Sequence, residues 1–208
     1  ESGFRQRFSA LPPAILKRAD GKEVISGYAA VYYDGSPGTE YRLWDDLVER
    51  IMPGAFDRAI REDDVRALFN HDPSEILGRN KAGTLSLSVD SRGLRYEIDP
   101  PASAGKLLEA LNRGDVTGSS FSFSPSEIVY REVEKTLYME VAAVELFDVG
   151  PVTFPAYTAT SAGVGSPRAM DADQAAALRT AIRAELAASR LPSELAAAEA
   201  ELELMGLA

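Results

Sequence analysis

Short apolar runs with a period of two residues extend from Phe8 to about Phe154, and they limit the folds open to this chain. This period places successive side chains on opposite faces of a strand. Clusters of Gly, Pro and Asp separate the runs, as in the turns between strands. The predicted strands are 24–33, 65–70, 85–89, 94–98, 116–123, 135–146 and 149–154. Because the helices predicted between them are only 52–60 and 103–113, a mainly antiparallel sheet or barrel is favoured over a βαβ fold.

The composition changes beyond residue 160. Residues 161–170 are rich in small side chains and form a predicted linker between a domain of residues 1–160 and an alanine-rich tail of residues 171–208. The tail has two apolar stripes at helical spacing, and a break at Leu191–Pro192 predicts two amphipathic helices. The stripes are Leu178, Ile182 and Leu186, and Leu195, Ala198, Leu202 and Met205. Such stripes pack against the domain, against a partner or against a second copy of the chain.

The charge and the scarcity of two residue types exclude several functions. The 208 residues include 32 acidic and 22 basic side chains, and the net charge of −10 argues against a broad phosphate-binding surface for nucleic acid. With no Cys and one His, the chain has neither a thiolate nucleophile nor a Cys-rich or His-rich metal site. No apolar stretch approaches the ~20 residues of a membrane span, and no signal peptide is evident. We therefore predict an intracellular protein without a membrane segment, a metal or a cofactor.

His71 is the only side chain of the type that ordinarily exchanges protons near neutral pH. It follows Val65, Ala67 and Phe69 in the two-residue alternation, which places the imidazole on an apolar face at the end of a predicted strand. A loop there can open to a substrate. This placement favours a general base, and the alternative interpretation is a surface histidine without a function.

A predicted strand rich in hydroxyl groups places Phe121 and Phe123 on one face and Ser120 and Ser122 on the other. Rings anchored in the core would hold the hydroxyl groups in place, as a nucleophile requires. Serine is weak without a neighbouring base, and His71 is the sole imidazole that could serve. The alternative interpretation is a Ser- and Gly-rich turn that leads into a strand with one polar face.

Two carboxylates, Glu145 and Asp148, interrupt an apolar run that extends from Val144 to Val152. Burial of an unpaired charge is costly, so one of them is a candidate partner for the imidazole N–H of His71. The two residues are three positions apart, so a regular strand places them on opposite faces and only one of them can face His71. Alternatively, both lie at strand ends in water.

A series of motifs occurs in a fixed order between about Ser26 and Thr160. The motifs are Phe69-Asn70-His71-Asp72, Leu77-Gly78-Arg79, Gly83-Thr84-Leu85, Asp90 with Gly93-Leu94, Gly118-Ser119-Ser120-Phe121-Ser122-Phe123, and Glu145 to Tyr157. As an ordered set they resemble the prohead (capsid maturation) serine proteases of tailed phages, which are relatives of the herpesvirus assemblin.

The resemblance implies that Ser120 is the nucleophile and His71 the general base. The third member would be an acidic residue on the last strand. Asp148 matches the acidic residue that the family usually shows before Val-Ser, whereas Glu145 matches the separation from the serine in the assemblin relatives. We favour Asp148.

The chain departs from the family pattern at two positions. It has Ser122 where the family more often has Gly, and Gly150 where the family more often has Ser. Neither change removes a proposed catalytic group. Ser122 shares a predicted face with Ser120 and is therefore an alternative nucleophile.

The resemblance also implies a fold, a location and partners. The fold would be α+β, a mainly antiparallel, herpesvirus-protease-like β-barrel with flanking helices, followed by the helical tail. Such enzymes act in the host cytoplasm inside the immature capsid, or prohead. They cut the scaffold or the scaffolding segment of the coat protein, and often themselves. The implied partners are the phage major capsid protein, the scaffold and a second copy in a homo-oligomer, without direct contact to nucleic acid or membrane.

Two other functions remain open at the level of the sequence. The first is a non-catalytic capsid assembly or scaffold protein that keeps the protease fold and binds through its C-terminal helices. The second is an unrelated soluble β-barrel binding module, which requires the ordered motifs to be a coincidence.

Overall fold

Strands make up most of the fold, and a long helix follows them. This computed structural model describes residues 4–9, 11–154 and 171–204, with side chains up to residue 189. The strands in this part of the chain are β1 (Arg5–Ser9), β2 (Ala14–Lys17), β3 (Glu23–Val31), β4 (Glu40–Trp44), β5 (Leu47–Ile51), β6 (Arg66–Leu68), β7 (Ile76–Arg79), β8 (Leu85–Val89), β9 (Gly93–Ile98), β10 (Gly118–Val133) and β11 (Thr136–Val152). The α-helices are α1 (Ala59–Glu62), α2 (Gly105–Arg113) and α3 (Ala172–Leu204).

The larger sheet is built around the hairpin of β10 and β11. Its strand order is β1-β10-β11-β5-β4, and β6 lies beside β11 and pairs in turn with β7. The pairs are antiparallel except that β5 and β6 run parallel to β11. Glu134 and Lys135 close the hairpin with positive φ values of 49° and 74°, which is the geometry of a type I′ turn. The predicted strands 116–123, 135–146 and 149–154 are parts of the two long strands β10 and β11. Bulges in these strands account for the breaks in the apolar alternation.

The smaller sheet has the order β2-β3-β9-β8 and is antiparallel throughout. The hairpin predicted from 85–89 and 94–98 is confirmed. Asp90 Oδ1 accepts the backbone N–H groups of Arg92 and Gly93 at 2.8 and 3.2 Å, which closes the turn. A Cβ on Gly93 would lie 2.2 Å from the main-chain oxygen of Ala30, so the close approach of β3 and β9 requires glycine.

One hydrophobic core joins the two sheets. It includes Tyr96 and Ile98 from the smaller sheet and Phe121 and Phe123 from the larger one. Phe121 and Phe123 are fully buried, and their ring centroids lie 4.8 Å apart. Burial of each such side chain contributes about 1.5–3 kcal/mol relative to exposure. The core therefore holds the first half of β10 by these rings, as the alternation in this strand predicts.

The fold is α+β and rich in strands, as predicted, but the predicted barrel is not confirmed. Among the strands that the structure describes, the larger sheet ends at β1 on one side and at β4 on the other, and no ladder joins these edges. The smaller sheet forms a separate layer.

The apolar alternation does not predict β1, β2, β4, β5 or β7. These strands have four or five residues each and carry charged side chains, so too little of each shows the alternation. The predicted helix 52–60 is a series of turns that ends in α1. Helix α2 ends at Gly114, which adopts a left-handed φ of 77°, as predicted from the glycine.

The C-terminal segment forms one helix, α3, and not the two predicted ones. The alanine-rich sequence on both sides of Pro192 favours helix strongly enough to continue through the missing hydrogen bond. Ile182 is buried against Leu47, Leu137 and Met139, so this part of the helix packs on the parent domain. The predicted linker 161–170 lies outside the described residues, and so do the side chains of the second stripe. None of the helices described is long and apolar enough to cross a membrane.

We expect Ile182→Ala to lower the free energy of unfolding by about 2–4 kcal/mol, because it leaves a cavity between α3 and the sheet. Urea denaturation followed by circular dichroism measures this loss. Thr180→Ala, at an exposed position of the same helix, is the control and should change stability by less than about 0.5 kcal/mol. Equal stability of the wild type and the Ile182 variant would contradict docking of α3.

Candidate active site

Three polar side chains share one face of the β10–β11 hairpin. In the antiparallel register Ser120 lies opposite Gly150, and Ser122 lies opposite Asp148. The side chains of Ser120 and Ser122 are fully buried, and that of Asp148 is nearly so. Because the two strands are joined by a continuous ladder, the spacing of these groups is set by backbone hydrogen bonds.

A β-bulge at Phe147 changes the relation between the two candidate carboxylates. Asp148 and Leu146 face consecutive residues of β10, so Phe147 is left out of the pairing. The extra residue reverses the alternation beyond it. Glu145 and Asp148 therefore lie on the same face, which differs from the expectation for a regular strand. Asp148 is buried beside the imidazole, whereas Glu145 is exposed farther along the strand.

A left-handed turn after β6 positions His71. β6 runs parallel to β11 beside Asp148 and Val149, and it ends at Leu68, two residues before the predicted end. Asn70 and His71 then adopt φ values of 54° and 57°, a region that Asn and His enter more readily than most residues. This turn, and not the strand alternation, directs the imidazole towards the hairpin.

Asn70 fastens this turn to the end of β11. Its amide Nδ2 donates to Thr153 Oγ1 at 3.1 Å, and its Oδ1 accepts the backbone N–H of Thr153 at 2.8 Å. Its own backbone N–H donates to the carbonyl of Pro151 at 3.1 Å. This role of Asn70 was not predicted, although an Asn before the only His at a strand end is a signal for such a turn.

Gly150 allows β6 to approach β11 closely. A Cβ at this position would lie 2.0 Å from the main-chain oxygen of Leu68. The departure from the family pattern at Gly150 therefore coincides with a backbone contact that leaves no room for a side chain. The same contact brings the chain that leads to His71 against the strand that carries Asp148.

The imidazole of His71 bridges a serine and a carboxylate. Nδ1 lies 2.5 Å from Asp148 Oδ1, and Nε2 lies 2.5 Å from Ser120 Oγ. An ionised carboxylate can only accept a hydrogen bond, so Nδ1 carries the proton and Nε2 presents its lone pair to the serine. The side chain of His71 is 12% exposed, so the pair is shielded from water.

The neighbouring serines occupy different places. Ser122 Oγ lies 2.9 Å from Nδ1, on the protonated side of the ring, where it can accept but cannot be deprotonated by the lone pair. Ser119 Oγ pairs with Tyr96 Oη at 2.8 Å. Ser120 alone of these three lies at Nε2. The main-chain oxygen of Arg7 on β1 also lies 2.9 Å from Ser120 Oγ and competes with Nε2 for the single hydroxyl proton.

A base held in one tautomer against a serine hydroxyl is the arrangement that nucleophilic acyl transfer requires. In the described part of the chain, no group of three or more His, Asp or Glu side chains is placed to hold a metal ion.

Comparison with known families gives an independent result. The family model described as caudovirus prohead serine protease matches residues 13–174. The chain belongs to this family. No curated protein and no solved structure gives a significant match.

The match to the prohead serine protease family includes Ser120, His71, Asp148 and Glu145 and begins four residues after β1 ends. The predicted family membership is thereby confirmed, and the relation to the herpesvirus assemblin stays a prediction. The family contributes serine protease chemistry and a role in capsid maturation.

We expect Gly150→Ala to destabilise the protein by about 2–3 kcal/mol, because the new Cβ forces β6 away from β11. Urea denaturation measures the loss. Gly38→Ala is the matched control, since a Cβ there meets no atom of the described residues within 4 Å. An unchanged midpoint for the Gly150 variant would show that β6 does not depend on this contact.

Proposed function

We propose that the protein is a serine endopeptidase of phage prohead maturation, with Ser120 as nucleophile, His71 as general base and Asp148 as the acidic member. The observation that carries the proposal is the bridge of His71 between Ser120 Oγ and Asp148 Oδ1, at 2.5 Å on each side, in a chain of the prohead serine protease family.

The proposed reaction begins when Ser120 Oγ attacks the carbonyl carbon of the scissile peptide and its proton passes to His71 Nε2. Asp148 accepts the Nδ1–H throughout and stabilises the imidazolium that forms. When the tetrahedral intermediate collapses, the C–N bond breaks and His71 returns the proton to the leaving amine. Water then attacks the acyl ester with His71 again as base, which releases the acid and restores the Ser120 hydroxyl.

Geometry favours these assignments over the alternatives. Ser122 lies at Nδ1, which already carries the proton directed to Asp148, and it is therefore the weaker candidate nucleophile. Glu145 is exposed, and a carboxylate in water stabilises an imidazolium less than a buried one does. Glu145 is therefore the weaker candidate for the acidic member.

The proposed substrates are the capsid scaffold or the scaffolding segment of the coat protein, and the chain itself. The proposed place of action is the interior of the prohead in the host cytoplasm, where the chain works as a homo-oligomer. Family membership supports a substrate among the capsid proteins and a place of action in the prohead. A non-catalytic assembly role through the tail is less favoured, because Ile182 of the first stripe is already buried on the parent domain.

We expect Ser120→Ala to reduce cleavage of the co-expressed coat protein at least ~10³-fold, since no other hydroxyl of the described residues lies at Nε2. Mass spectrometry of the assembled particles measures the cleaved fraction. Ser122→Ala is the matched control and should stay within about tenfold of the wild type, because it removes only a contact to Nδ1. Full cleavage by the Ser120 variant would leave the assembly role as the better explanation.

We expect Asp148→Asn to lower kcat by about 10²–10⁴-fold with little change in KM, because the amide cannot hold the imidazole in the required tautomer. A peptide from the coat cleavage site, assayed at several concentrations, separates the two constants. Glu145→Gln should change kcat by less than about threefold. The reverse ranking of the two variants would transfer the acidic role to Glu145.

A further inference from the structure

β1 covers the proposed nucleophile. It pairs antiparallel with the edge of β10, with Phe8 opposite Ser120. The ring of Phe8 meets the imidazole of His71 edge-on at a centroid distance of 6.3 Å, and Ser120 is fully buried. Since the family match begins only at residue 13, β1 lies outside the matched region.

The backbone of β1 lies where an extended substrate would lie. Proteases and other peptide-binding proteins commonly hold a peptide as an added strand on a sheet edge. Here the added strand brings one peptide carbonyl, that of Arg7, within 2.9 Å of Ser120 Oγ. In a substrate bound in this register, the residue in the place of Arg7 would supply the carbonyl nearest to the nucleophile.

The side chains of β1 show what this edge binds. Arg5 and Arg7 are two residues apart and lie opposite Phe123 and Phe121, on the face away from the Ser120 hydroxyl. Both guanidinium groups pair with Glu49 on β5. Arg7 Nε lies 2.6 Å from Oε1, and Arg5 Nη1 contacts Oε2.

The side chains that bind the two arginines are shielded from solvent. Glu49 is fully buried, and Tyr41 lies opposite it on β4. The guanidinium of Arg7 lies 5.8 Å from the centroid of the Tyr41 ring, within cation–π range. In the part of the chain that the structure describes, the buried hydroxyl of Tyr41 has no hydrogen-bond partner. A carboxylate and an aromatic face around one cation form a pocket suited to a basic side chain.

A buried carboxylate cannot be left without a partner at low cost. A peptide that displaced β1 would remove both cations from Glu49. If it carried no basic side chain of its own, Glu49 would be left as an uncompensated buried charge. The pocket thus penalises neutral and acidic peptides as well as favouring basic ones.

We propose that Glu49 and Tyr41 form a specificity pocket, and that the protein binds and cuts extended peptides with Arg or Lys at the place of Arg7 and a second basic residue two positions before it. This substrate class rests on the proposed protease function. In the free chain, β1 occupies the edge of β10 at which the peptide would bind.

The binding test uses the full chain with Ser120→Ala, Arg5→Gln and Arg7→Gln, so that β1 loses both ion pairs and the peptide is not cut. A fluorescent peptide that copies residues 4–11 is compared with one in which both arginines are glutamine. We expect the basic peptide to bind about 10–100-fold more tightly by anisotropy, the effect of losing hydrogen bonds to a charged group. Equal affinity of the two peptides overturns the proposal, and this test leaves Glu49 and Tyr41 unmutated.

Glu49→Gln in the same background should bring the two affinities within about threefold of each other. Glu140→Gln is the matched control, since Glu140 is a buried glutamate paired with Arg131 at 2.7 Å one residue along from the register partner of Glu49. It should preserve the preference. Retention of the preference in the Glu49 variant, or its loss in the Glu140 variant alone, overturns the assignment to this pocket.

A cleavage arm separates this proposal from the protease function. In the chain with Arg5→Gln, Arg7→Gln and an intact Ser120, we expect the basic peptide to be cut after its second arginine. The glutamine peptide should be cut at least about tenfold more slowly. Equal cutting of both overturns the pocket and leaves the protease function intact. If neither is cut but the Ser120→Ala chain still prefers the basic peptide, the pocket stands and the protease function fails.

Discussion

The antiparallel pairing of β10 with β11 is the constraint on which the rest of the structure depends. It places Ser122 opposite Asp148 and Ser120 opposite Gly150, while Phe121 and Phe123 anchor the other face in the core. A shift of this register by one residue would exchange the two faces, which would turn the hydroxyl groups into the core and the rings out of it. The polar face of the hairpin and the hydrophobic core are therefore specified by the same ladder.

Three irregularities make this regular scaffold into a site. The bulge at Phe147 sets the position of Asp148, Gly150 admits the backbone of β6, and the left-handed turn at Asn70 aims the imidazole. The bulge and the left-handed turn depart from what their residues would adopt in an undisturbed strand. Local conflicts of this kind concentrate at functional sites because the surrounding structure must stabilise them.

Much of the arrangement could be predicted from the sequence, for identifiable reasons. One His in the chain leaves one candidate base, and the Phe-Ser alternation from Ser120 to Phe123 predicts which side chains face the core. The alternation of side chains could not decide between Asp148 and Glu145, because the bulge places both residues on the same face of the strand. The position of β1 was beyond prediction, since a five-residue strand with two arginines gives no apolar pattern and its partners lie more than 40 residues away.

The two occupants of the β10 edge compete on unequal terms. An incoming peptide that carries two basic residues replaces the backbone hydrogen bonds and ion pairs of β1 one for one. The free energy of the exchange itself is therefore close to zero. β1 belongs to the same chain, however, and a tethered segment acts at an effective concentration on the order of millimolar. A free peptide with the same contacts therefore displaces β1 only when its own concentration approaches that range. Such a site discriminates against dilute proteins and favours substrates packed at high density, as the proposed scaffold substrate would be inside a prohead.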